Sequence, residues 1–294
     1  MKGLAIVQQG RTTANIFKNR FAEKGIEIDI MPIQELYKGI TKGKIELPLT
    51  KKWDFVLLYC HKRHDSKGVF EILANDGIRV FNTPSAVENC GDKWLTYQVL
   101  QEAGVPQMAT YETWEQAKEA GLLDKDENGK LLKKVVIKDR NGSFGKKVHL
   151  ASYYKDLRQA VADFENQEIP YILQEFCETA KKRGARITCI GGKFVASYFK
   201  RTTDGDFVVN LHNNAVGQKW NVPLEFIKVA ETTAQALDCD YCGIDLMFGK
   251  DDLPVVCEVN SMAVFSAMEK INEMDIKGMY VDYIISKVME GDLL

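Results

Sequence analysis

The run "VVCEVN" (residues 255–260) begins as a buried strand and ends as something else. Successive residues of a strand project to opposite faces, so Glu258 and Asn260 share a side. A carboxylate and a carboxamide closing an apolar strand call for a partner. One stands a short turn upstream: Asp245, an acid inside the otherwise apolar "GIDLMF" (243–248). With "GKDD" (249–252) between them, the two runs read as a hairpin that sets Asp245, Glu258 and Asn260 on one face. Buried carboxylates without a counter-charge are costly or change their pKa. Two acids and an amide are all oxygen donors, the set that a hard cation such as Mg²⁺ (or Mn²⁺) accepts. The plainer alternative is a pair of strand-end acids bonded to backbone.

Two lysines weigh against the plainer alternative. Lys93 lies in "SAVENCGDKWLTYQVLQEAG" (85–104), which reads as one helix with a Ser85–Glu88 capping box and Gly104 as its stop. Lys138 ends the apolar "VVIK" (135–138), just before the turn "NGSFG" (141–145) with Ser143 and Gly145. An ammonium beside a glycine turn suits the covering of phosphate oxygens by charge and backbone N–H groups. Either lysine alone reads as a snorkelling surface residue. The turn is not a Walker A loop, because no G-x-x-x-x-G-K-[ST] occurs. Two spaced lysines, a glycine loop and a downstream acid–acid–amide set are together far more specific than any member.

Upstream, strand and helix signals alternate to about residue 82, which predicts a parallel sheet covered by helices. Ligands of such sheets bind beyond the carboxyl ends of the strands. That places Gly10, Arg11 and "HKRHD" (61–65), with His61, Arg63 and His64, at the mouth of a crevice suited to an anionic substrate. The expected divisions are an α/β domain over 1–82, a bridging helix over 83–104, a small α+β unit over 105–173 and a larger one over 174–294.

The bulk numbers set bounds. The chain has 294 residues, 45% hydrophobic and 27% charged, with net charge -2. That balance argues against coating nucleic acid or a membrane surface. No apolar run approaches the ~20 residues of a membrane span. The opening "MKGLAIVQQGRTT" turns polar too soon for a secretory leader. Seven scattered cysteines fit a reducing cytoplasm. Cys239 and Cys242 have CxxC spacing without a second ligand cluster, so they read as small buried thiols.

With these residues in hand, the chain resembles the ATP-grasp superfamily and, within it, the RimK-like carboxylate–amine ligases, over nearly its whole length. "NTPSAVENCGDKWLTYQVLQEAGVP" is similar to the family's helix with the first nucleotide-binding lysine, here Lys93. "VVIKDRNGSFGKKVHL" resembles the second-lysine strand and its flexible loop. "YILQEF" (171–176) resembles the adenine-holding hinge, giving Gln174, Glu175 and Phe176. "GARITCIGGKFVASYFKR" (184–201) is similar to the D-x-R strand and the Arg-bearing strand after it, giving Arg186 and Arg201. "DFVVNLHNNA" (206–215) supplies Asn210 near the phosphates, and "GIDLMF" with "CEVNS" the metal pair.

The resemblance implies an ATP-grasp fold: a Rossmann-like α/β domain followed by two α+β subdomains that clamp ATP. It also implies Mg²⁺-ATP phosphorylating a small-molecule or peptide carboxylate to an acyl phosphate, which an amine then attacks. Lys93 and Lys138 would supply fixed charge, and Arg186 and Arg201 would hold the oxyanion or the carboxylate. Three departures surround the substrate pocket. Gly184 stands where the D-x-R acid belongs, with Glu178 as the alternative acid near the ribose. "NNA" and "SMAVF" replace the family's glycine pair and S-P-G. A phosphotransferase acting on a hydroxyl and a nucleotide-binding module without turnover are the competing readings; a homo-oligomer is left open.

Overall fold

A parallel sheet comes first. The computed structural model describes residues 1–7, 11–60, 68–142, 147–180, 182–201 and 216–291. Strands β1 (Lys2–Val7), β2 (Glu27–Pro32), β3 (Phe55–Tyr59) and β4 (Arg79–Phe81) stand in the order β2-β1-β3-β4, each pair parallel. Helices α1 (Arg11–Glu23), α2 (Ile33–Thr41) and α3 (Val69–Asn75) make the crossovers. Every residue of β3 is buried, as a strand covered on both faces must be, which explains its unbroken apolar run.

The expected single bridging helix is two helices. α4 (Pro84–Gly91) is capped by Thr83, whose hydroxyl accepts from Ala86 N at 3.2 Å, and not by Ser85. Asp92 is extended (φ -132, ψ 112) and breaks the run. Its carboxylate accepts from Trp94 N (2.9 Å) and Leu95 N (3.3 Å), which starts α5 (Lys93–Glu102) afresh. Gly104, with φ +66, follows the end of α5 as anticipated.

The second sheet has the order β5-β8-β6-β7, from β5 (Thr110–Tyr111), β6 (Lys130–Asp139), β7 (Val148–Tyr153) and β8 (Tyr171–Glu175). β8 therefore runs across the division expected at 173/174. Helices α6 (Trp114–Glu119) and α7 (Tyr154–Asn166) close a core of its own around Val135, Ile137, Leu157, Phe164 and Leu173.

The third sheet is antiparallel, in the order β11-β10-β9-β12-β13. It comprises β9 (Arg183–Ile190), β10 (Lys193–Arg201), β11 (Val216–Gln218), β12 (Tyr241–Phe248) and β13 (Pro254–Asn260). Helix α8 (Leu224–Ala236) packs against it in one core. A different core joins it to α9 (Phe265–Asn272), α10 (Ile276–Gly291) and the N-terminal sheet through Phe17, Phe55, Phe81, Tyr241, Phe265 and Tyr280. Asn82 fastens this joint: its amide donates to Tyr241 O (2.7 Å) and Ser261 O (2.8 Å) and accepts from Tyr241 N (2.8 Å).

The N-terminal sheet and the third sheet thus share a core, while the second sheet keeps its own. The segment leading from α5 into β5 meets the third sheet where Gln107 pairs with Val256 and where Val256 N donates to Pro106 O at 2.8 Å. Among the described residues no helix is long and apolar enough to cross a membrane.

Candidate active site

The hairpin register sets Asp245 opposite Glu258 and Gly243 opposite Asn260, so the three polar side chains lie on one face. The next pair is Leu246 with Val256, which leaves Cys257 as an extra residue in a bulge. On the other side of β12, Asp245 faces Arg186 of β9. Arg186 grips it with two donors: Nε to Oδ1 at 2.9 Å and Nη2 to Oδ2. A second cation, the ammonium of Lys200 on β10, also donates to Oδ1.

Two glycines make room for this cluster. A Cβ on Gly243 would stand 2.5 Å from Ala263 Cβ and 3.1 Å from Arg186 Nη1, so only glycine lets the guanidinium lie across β12. A Cβ on Gly184 would stand 3.2 Å from both Leu246 O and Lys200 Cε. The stem of Lys200 runs over Gly184 to reach Asp245. Burial pushes the Asp245 carboxyl upward, but Arg186 and then Lys200 outweigh it and hold it at about 2.

Lys93 and Lys138 approach from the second sheet and its neighbouring helix. Lys93 is the first residue of α5, and its ammonium donates to Gly142 O and stands 3.7 Å from Glu258 Oε1. Burial lowers its pKa; Glu258 opposes that, and the nearby Lys138 adds to it. Arg140 fixes the start of this helix. Its Nε donates to both oxygens of Asp92 at 2.7 Å, it pairs with Glu112, and its carbonyl accepts from Lys93 N at 3.0 Å. Lys138 is buried at the end of β6 and lines one cavity with Lys93, Gln174, Cys257 and Glu258. That cavity holds about 20 Å³, room for one water.

Lys93, Lys138, Arg186 and Lys200 oppose two carboxylates, Asp245 and Glu258, which leaves the cluster two charges positive. Polyanions suit such a cleft. Among the described residues no three Cys, His, Asp or Glu side chains are grouped to hold a metal. Two carboxylates and an amide still fit Mg²⁺, which takes one or two protein carboxylates and completes its shell with phosphate oxygens and water.

A sequence profile of the RimK-like ATP-grasp domain matches residues 90–284, which takes in both lysines, the arginine and the whole hairpin. The chain belongs to the RimK-like ATP-grasp family. It is 29% identical over 283 residues to beta-citrylglutamate synthase B of Danio rerio, covering 92% of this chain and 68% of that protein. It is 30% identical over 210 residues to N-acetylaspartylglutamate synthase A of Homo sapiens, covering 71% and 53%. It thus spans about half to two thirds of these curated relatives. The ATP-grasp ligase PsnB, solved with a minimal precursor, Mg and ADP, superposes with a TM-score of 0.67 at 16% identity, covering 97% of each chain. The fold is that of the ATP-grasp ligases.

Within the RimK-like frame, the residues singled out from the sequence fall into three groups. Lys93, Lys138, Arg186, Asp245, Glu258 and Asn260 converge at or beside the hairpin. The hinge residues lie at the end of β8: Gln174 is buried and donates to Thr110 Oγ1 (2.8 Å), and Glu175 pairs with Lys133 (2.8 Å). Phe176 N donates to Lys134 O at 2.9 Å, so that amide is already spent within the sheet. Glu178, the alternative acid, pairs with Lys134 at 3.0 Å. Ser143, Gly145, Asn210, His61, Arg63 and His64 lie outside the described residues, and of Arg11 only its place at the start of α1 is described.

Arg201 stands apart from these groups. It ends β10 exposed, and strand alternation turns it to the face opposite Lys200. Lys200 is the cation that meets Asp245, and the sequence reading missed it. The usable signal was parity: Tyr198 pairs with Arg186, so Lys200, two residues on, shares that face while Arg201 does not.

Proposed function

We propose that this chain is an ADP-forming ligase that activates a small carboxylate as an acyl phosphate and joins it to an amine. The observation that carries the reading is the meeting of Lys93 and Glu258 across the cleft, with Arg186 and Asp245 locked beside them. Lys93 and Lys138 bind and orient the phosphate chain of ATP from the side of the second sheet. Asp245, Glu258 and Asn260 hold Mg²⁺, which when bound neutralises phosphate oxygens. The carboxylate oxygen of the acid displaces ADP from the γ-phosphorus. The amine nitrogen then displaces phosphate from the acyl carbon and gives up its proton. Arg186 spends Nε and Nη2 on Asp245 and turns Nη1 over Gly243, where it serves the oxyanion that forms during amine attack. On the resemblance, Ser143 and Gly145 of the glycine turn are assigned to the nucleotide. The same resemblance assigns Glu175 and Phe176 to the adenine and Asn210 to the phosphates.

The two relatives, a beta-citrylglutamate synthase and an N-acetylaspartylglutamate synthase, are both named for glutamate products, which supports a glutamate-like amine. Arg11, His61, Arg63 and His64 are assigned to the acid substrate on the sequence argument. The test is Mg²⁺-dependent ADP release with pooled small carboxylates, using glutamate and, separately, hydroxylamine as the amine. ADP together with a hydroxamate is the expected result. ADP without hydroxamate would transfer the assignment to a phosphotransferase, and no ADP with any acid would leave a nucleotide-binding module.

A further inference from the structure

Asp245 is already saturated with protein cations. Arg186 takes both of its oxygens, and the buried ammonium of Lys200 takes Oδ1 again. The two cations are held differently. Arg186 is a planar fork clamped over Gly243, whereas Lys200 is a flexible four-carbon stem laid over Gly184. Position 184 is where the resemblance anticipates an acid. An acid there would compete for Lys200; glycine instead opens the path that delivers the ammonium to Asp245.

We propose that Lys200 is an internal counter-ion that keeps Asp245 closed to divalent cations until a nucleotide arrives. This rests on reading Asp245, Glu258 and Asn260 as the metal-facing set. A divalent cation approaching Oδ1 meets two positive charges at contact distance in a largely buried site, so the carboxylate binds it weakly. Phosphate oxygens change the balance. They draw the mobile ammonium off Oδ1 and leave Arg186 in place, so metal and nucleotide are taken up together. Lys200 is a positioning residue in this scheme, acting through Asp245.

The experiment uses Mn²⁺ as the probe and reads free Mn²⁺ by electron paramagnetic resonance, with and without ADP. Lys200→Met keeps the stem and removes the charge. It is expected to tighten Mn²⁺ binding without ADP by about tenfold or more and to shrink the gain that ADP confers. Lys200→Arg, which keeps the charge on a planar fork, is expected to keep the weak nucleotide-free Mn²⁺ binding of the parent chain. Should Lys200→Met fail to fold, Lys200→Gln carries the same test. An unchanged or weaker nucleotide-free affinity in the neutral variant overturns the inference. Glu258→Gln separates the two levels: if it leaves Mn²⁺ binding with ADP intact, the metal-facing set itself is wrong. If it abolishes that binding while Lys200→Met changes nothing, only the role of Lys200 falls.

Discussion

Lys93 Nζ stands 3.7 Å from Glu258 Oε1 while donating to Gly142 O, so one side chain at the start of α5 links the glycine turn of the second sheet to the hairpin of the third. The two halves of the cleft communicate through it. Changes on either side are therefore expected to be felt as changes in turnover rather than in folding.

Glu258→Gln removes a charge that the fold does not need, because the residue is partly exposed and its ion partner is the functional Lys93. Turnover is expected to fall by about a hundredfold or more, the scale of losing a key electrostatic group in a closed site. The thermal midpoint should stay within about 2 °C of the parent. Full ADP release by this variant would remove the metal assignment.

Gly243→Ala tests the space beneath Arg186. Its Cβ would overlap Ala263 and crowd Nη1, so the guanidinium must shift. Overpacking of this kind costs about 1–3 kcal/mol. The expected signature is a loss of kcat larger than the loss of stability, measured by turnover beside urea unfolding. Wild-type kcat would show that Arg186 is not placed by this glycine.

Arg140→Ala leaves Asp92 without its guanidinium and frees the first turn of α5. The pair is neither fully buried nor on the surface, so a stability cost of about 2 kcal/mol is expected. The KM for ATP should rise through Lys93, which Arg140 never touches by its side chain. An unchanged KM would mean that α5 holds its start without this pair.

Arg79→Ala gives a pH-dependent cost. Asp240 is buried, accepts from Arg79 and Tyr283 at 2.8 Å each, and burial raises its pKa against the pull of Arg79. A carboxyl raised in the folded state binds a proton that the unfolded chain has lost. Stability therefore rises as pH falls from the folded value towards the unfolded one. Removing Arg79 raises Asp240 further, so the cost of the substitution, about 2 kcal/mol at pH 7, should shrink at pH 5. Urea unfolding at the two pH values checks this; equal costs would refute it.

Cys239→Ala should be nearly silent in turnover. The thiol is buried, 3.6 Å from Cys90 Sγ; the Cys242 thiol and then burial hold its pKa well up against the opposite pull of Cys90. A stability loss of about 1 kcal/mol is expected from the missing packing. A large loss of activity would revive a chemical role for the CxxC pair.

Period-two alternation was enough to put Asp245, Glu258 and Asn260 on one face, because that face is a local property of each strand and a short turn allows little choice of pairing. The alternation of strands and helices was likewise enough for the parallel N-terminal sheet. What the sequence could not decide depends on partners distant in the chain. Lys200 and Arg201 are adjacent cations on one strand, and only the register of β10 against β9 selects Lys200 for the site. The break at Asp92 follows from Arg140, 48 residues away, which holds the capping carboxylate in place. The consequence of glycine at 184 emerged only when the stem of Lys200 was seen to cross it. Local pattern determined which faces exist; non-local pairing determined which charges meet across them.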